Sequence, residues 1–219
     1  MEPKSNVEAY SPEEELANAW THGIAALLAL VGTVLLLLKT PSSSEEKLVS
    51  FFVFGLSMIL LYTASTAYHS VKSQHRKSLY KKLDHIAIYV LIAGTFTPFC
   101  WVVLREEALG INVLIAVWAI AFAGAIFKIF FTGKLEALSL ISYLGMGWLG
   151  FTLFSRLSEL ISPDAVNLML YGGLCYTGGV VFYLMRKLKY HHAIWHIFVM
   201  GGTALHFAAV YLYVLPYGN

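Results

Sequence analysis

The sequence predicts an all-α protein, a bundle of seven transmembrane helices. Three observations predict it. Of the 219 residues, 58% are hydrophobic and only 13% charged. A soluble domain carries about 25% charged residues, so lipid is the expected solvent. Seven apolar runs also approach the roughly 20 residues needed to cross a bilayer: Trp20–Leu38, Leu48–Tyr68, His85–Leu104, Ile111–Phe131, Leu135–Leu157, Val166–Met185 and His192–Leu215. Finally, the basic residues divide unequally between the two sets of loops that these runs define.

The first span follows a polar stretch. Ser11 and Glu14 have the spacing of a capping box, with Pro12 at the first helical position, so residues 1–19 are expected to form a cytoplasmic segment with a short juxtamembrane helix. The acidic start (Glu2, Glu8, Glu13, Glu14, Glu15) is unlike a cleavable signal peptide. Glu15, Asn18 and His22 form a stripe that continues into Ala25 and Ala29, where small residues allow close helix approach. The second span ends in Ser65-x-x-x-His69, with Tyr62 near the same face. Asp84 stands at the opening of the third, and Pro98 is expected to kink it and free backbone groups. Spans four and five are read from their apolar runs. Glycine pairs at Gly172-Gly173, Gly178-Gly179 and Gly201-Gly202 permit close packing in spans six and seven. The seventh opens with His192-x-x-x-His196; on a count of about 100° per residue, Thr203 and His206 stay within about 40° of His192. Cys100 and Cys175 lie inside apolar spans, which argues against a disulfide or a cysteine metal site. The spans fill residues 20–215, so 1–219 is read as one integral-membrane domain.

Charge sets the orientation. One side carries Lys4, Lys72, Arg76, Lys77, Lys81, Lys82, Lys128, Lys134, Arg186, Lys187 and Lys189; the other carries only Lys39, Lys47, Arg105 and Arg156. By the positive-inside rule the N-terminus is cytoplasmic and the C-terminus outside. Beyond topology, the basic second loop also suits an anionic inner leaflet. With this orientation, His69, Asp84, His192, His196 and the Glu15, Asn18, His22 stripe all fall in one layer at the cytoplasmic side. Polar residues at such depth must face protein and find partners.

His69, His192 and His196 offer the donors of a three-histidine zinc site, in which a catalytic ion keeps a water whose pKa falls to about 7. Asp84 is placed to accept a proton from that water as general base, and Ser65 to hold water or substrate. Glu15, Asn18 and His22 read as the groups behind the ligands, fixing ring tautomers. Plainer readings compete. Asp84 at a helix mouth is also an N-cap, the capping box accounts for Glu14 and weakens the case for Glu15, and a lone His22 at an interface is also a solvated one. His75, His85 and His191 read as surface or interfacial, His206 as a hydrogen-bonded core residue.

The strings Glu15-x-x-Asn18-x-x-x-His22, Ser65-x-x-x-His69 with Asp84, and His192-x-x-x-His196 resemble the hemolysin III branch of the PAQR (progestin and adipoQ receptor) family over almost the full length. The resemblance implies a seven-helix bundle with a cytoplasmic N-terminus, zinc at His69, His192 and His196, and Asp84 bound through water. It also implies kinship with membrane hydrolases that include alkaline ceramidases, in which zinc-bound water attacks a lipid amide. The long N-terminal domain of the animal receptors is not expected. The first expectation is therefore a zinc-dependent hydrolase of a lipid amide or ester at the cytoplasmic leaflet of a bacterial inner membrane. Its partner is a membrane lipid or fatty-acyl substrate, with no nucleic acid. A zinc-clamped sensor of membrane state without turnover is the alternative, and a haemolytic pore the third.

Overall fold

A computed structural model of the chain describes residues 10–218; Glu2, Lys4 and Glu8 lie outside them. Ser11 starts the first helix as its sequence asks. Its hydroxyl accepts from the Glu14 N–H at 3.2 Å, and the Glu14 carboxylate accepts from the Ser11 N–H at 3.0 Å, which satisfies two of the orphan donors of the first turn. Helix α1 then runs unbroken over Pro12–Lys39. The short juxtamembrane helix expected before residue 20 is the first two turns of the span itself.

Six more helices follow, each long and apolar enough to cross a membrane: α2 Glu45–Ser70, α3 Gln74–Val103, α4 Ala108–Phe131, α5 Glu136–Leu160, α6 Pro163–Leu184 and α7 His191–Val214. No strand occurs among the described residues. The largest boundary difference is in α3, which begins at Gln74 rather than at His85. Charged residues interrupt hydropathy without breaking a helix, so the polar turns Gln74–Asp84 join the span. Asp84 therefore sits well inside α3, and the N-cap reading of it is removed. Pro98 ends the regular α-helix and hands over to a π turn at Phe99–Val103, the kind of local adjustment that accommodates a missing N–H.

Successive helices pack as antiparallel neighbours: α1 on α2, α2 on α3, α3 on α4, and α6 on α7, with α7 returning to α1. Helix α5 is held more thinly, by α3, α4 and α6. Between α6 and α7 the backbones approach closely. A Cβ on Gly172 would lie 2.9 Å from the His206 ring, and one on Gly202 would lie 2.8 Å from the Tyr176 ring. In lipid such small-residue contacts, rather than a hydrophobic drive, bring helices together.

The two ends of the bundle differ in kind. At the end holding the starts of α2, α4 and α6, Leu36, Phe51, Phe54, Phe99, Leu104, Leu153, Val210 and Val214 fill the interior with essentially no exposed surface. At the opposite end, buried Asn18, His22, Ser65, His69, Asp84, His192 and His196 replace them. Leu27, Leu28, Val31 and Leu38 on α1 face outward, as a lipid-facing surface requires.

Candidate metal centre

Antiparallel packing brings the start of α1, the end of α2, the N-terminal part of α3 and the start of α7 to the same end. His69 is in the last turn of α2; His192 and His196 occupy successive turns of α7, on one face. Each of the three imidazoles offers one nitrogen, and these atoms all lie within 4.8 Å of one another. All three rings are buried.

Each ring is held from behind through Nδ1. His69 Nδ1 lies 2.7 Å from Glu15 Oε2. His196 Nδ1 lies 2.9 Å from Thr21 Oγ1, and that hydroxyl donates to the Ala17 and Asn18 carbonyls, so it accepts from the ring. His192 Nδ1 lies 3.1 Å from the Tyr10 hydroxyl. A ring that donates from Nδ1 presents a lone pair at Nε2. The Nε2 atoms of His192 and His196 are buried and hydrogen-bond to nothing among the described residues. Buried polar atoms of this kind call for a partner, and three imidazoles backed by a carboxylate and hydroxyls are the donor set of a zinc or related transition-metal site. The residues fit such an ion.

A cavity of about 170 Å³ reaches this cluster at His192. His22, Asp84 and His192 line one part, and apolar side chains of α3, α5 and α6 line most of the rest, as far as Phe154, Met169 and His206.

The haemolysin-III-related family model matches residues 10–207. The chain belongs to the haemolysin-III-related family. Hemolysin-3 of Bacillus cereus is 43% identical over 205 residues, 93% of each chain. The hemolysin-3 homolog of Bacillus subtilis is also 43% identical, over 93% of this chain and 96% of its own. The similarity extends to the human monocyte to macrophage differentiation factor, 29% identical over 92% of this chain and 84% of the relative. With seven apolar helices, the haemolysin-III-related chain is a multi-pass membrane protein.

In this haemolysin-III-related chain, Ser65 lies one turn before His69, buried, its hydroxyl without a hydrogen bond among the described residues. Asp84 is buried, with Oδ2 3.8 Å from His85 Nδ1. Its carboxylate is outside the tight donor set. Glu15 touches a candidate ligand directly and pairs with Lys77 through its other oxygen. His22 stacks on His196 with ring centroids 3.5 Å apart, and Asn18 is fully buried one turn earlier. His22 is thus interior, not solvated. His191, read as interfacial, is buried near Tyr10, because the turn before α7 folds onto the start of α1. Glu14 draws it there: beyond its capping role, its Oε1 accepts from the N–H of Tyr190, a residue held at φ 61°. His206 hydrogen-bonds the Met169 carbonyl, 3.2 Å away, and takes no part in the cluster.

Sequence reasoning missed Tyr10, Thr21 and Lys77. Tyr10 and Thr21 are single polar residues with no spacing to mark them. Lys77 did carry a signal. Lys77, Lys81 and Asp84 stand at i, i+4 and i+7 and share the buried face of α3. Lys77, Lys81 and Lys128, counted as loop charges, are all buried in the protein.

Proposed function

We propose that the protein is a zinc-dependent hydrolase of a lipid amide or ester, working at the cytoplasmic leaflet of a bacterial plasma membrane with its N-terminus inside. The observation that carries this reading is the set of three imidazoles, each held through Nδ1, one of which, His192, lines a largely apolar cavity that Asp84 also lines. His69, His192 and His196 would hold the ion. When bound, it supplies Lewis-acid polarisation and a lowered pKa for water. Asp84 Oδ accepts a proton from water in the cavity and returns it to the leaving group. The Ser65 hydroxyl orients that water or the substrate carbonyl, and the apolar wall receives an acyl chain and excludes bulk water. Glu15, Tyr10 and Thr21 keep the imidazoles in one tautomer and orientation.

The haemolytic name of the Bacillus relatives raises the pore reading, against which the packed far half of the bundle argues. The buried histidines lie at one end, and a through-path would have to cross the filled layer of Phe51, Phe54, Phe99 and Leu104. A zinc clamp without turnover shares the same three ligands but gives Asp84 no proton to move.

The test is hydrolysis of defined lipid amides and esters by purified protein, with metal content measured on the same samples. The reading expects His192→Ala to lose both metal and turnover, and Asp84→Asn to lose turnover alone. Undiminished hydrolysis in metal-free protein would end it.

A further inference from the structure

Lys128 is fully buried, and its Nζ hydrogen-bonds to nothing among the described residues. It extends the buried stripe Val117, Ala121, Gly124 of α4, so it points inward like those residues. The Tyr143 ring, with its centroid 6.0 Å from Nζ, is at the limit of a cation–π contact and satisfies none of the three ammonium donors by hydrogen bonding. Lys128 and Lys81 both line the cavity that His192 also lines. Lys81 is 3.7 Å from Glu136, but Glu136 is also bonded to Arg186 at 2.9 Å. Asp84 and Glu136 line the same cavity. Buried charges are ordinarily paired, and neither carboxylate hydrogen-bonds Lys128.

We infer that Lys128 and Lys81 form a binding subsite for an anionic oxygen group, phosphate or carboxylate, carried by the lipid that enters the cavity. The inference deepens the proposed function by naming the charge of its substrate, and rests on that reading for the identity of the cavity's occupant as substrate. The ammonium groups hold the anion at one part of the cavity, the apolar wall takes the chain, and the scissile bond is drawn toward Asp84. A neutral lipid of equal chain length gains nothing from Lys128.

Binding is measurable without turnover. The full chain in neutral-detergent micelles is titrated with dodecyl phosphate, dodecanol and inorganic phosphate, following the fluorescence of Trp148 and Trp195, which line the cavity. Lys128→Met is expected to weaken dodecyl phosphate roughly tenfold or more, the scale of a charge-assisted hydrogen bond. Lys128→Arg should restore most of it, and dodecanol should be unaffected. Equal affinity of Lys128→Met and wild type for dodecyl phosphate overturns the subsite whether or not any lipid is hydrolysed, as does an equal loss for dodecanol. Inorganic phosphate binding as tightly as dodecyl phosphate overturns the assignment to a lipid. Lysine-dependent dodecyl phosphate binding in a protein that hydrolyses no lipid supports the subsite and counts against the hydrolase reading alone.

Discussion

Replacing Glu15 by Gln tests how the candidate centre is built. Glu15 Oε2 is 2.7 Å from His69 Nδ1, and the Glu15 side chain is only 17% exposed, so solvent screens the interaction weakly. Gln keeps the shape and an acceptor oxygen but removes the charge that makes the bond strong. Partners behind metal-bound histidines are worth about 10–100-fold in metal affinity, or about 1.4–2.7 kcal/mol. Glu15→Gln should weaken zinc binding by that factor in a competition titration against a chromophoric chelator. Lys77, its side chain 10% exposed, loses its counter-charge in the same variant. Thermal stability should therefore fall as well, and adding Lys77→Met should recover stability but not affinity, because the two effects travel through different oxygens of one carboxylate. Glu14→Gln is the control. It weakens the cap and the bond to Tyr190, so it should lower the melting temperature and leave zinc affinity alone. Zinc affinity within twofold of wild type in Glu15→Gln would refute the claim that this carboxylate sets the His69 ring for a metal.

Asp84→Asn should retain zinc and lose about 10²–10⁴-fold in turnover, the usual worth of a positioned base, with no fall in melting temperature; a large fall with metal loss would point to a clamp. Tyr10→Phe removes a neutral hydroxyl from His192 Nδ1 and should cost less metal affinity than Glu15→Gln, about tenfold at most, in the same titration. Gly172→Ala sets a methyl against the His206 ring and the Gly202 carbonyl; it should destabilise by about 1–3 kcal/mol, read as a lower melting temperature in detergent.

The sequence made the membrane helices legible because apolar length is a direct signal. It made the histidine pair legible because His192 and His196 recur at helical spacing. Helix starts were less legible. The polar turns of α3 from Gln74 to Asp84 lower hydropathy but obey the same helical geometry, so a hydropathy reading stops at His85. The partners of the imidazoles were hidden for a different reason. Tyr10 and Thr21 reach α7 across about 180 positions of sequence, and only the folded bundle brings them together. Buried lysines were misread because lysine in a loop or at a span end is ordinarily a topology marker. Lys128 lies on the buried stripe of α4 four residues after Gly124, and that spacing was the available signal.

The most direct test is X-ray absorption at the zinc edge on protein purified without chelator, with metal stoichiometry measured alongside. One zinc per chain is expected, with three imidazole nitrogens at about 2.0–2.1 Å and loss of the ion in His192→Ala. A protein that takes up no zinc when supplied with it, or an imidazole signal unchanged in His192→Ala, would contradict this expectation.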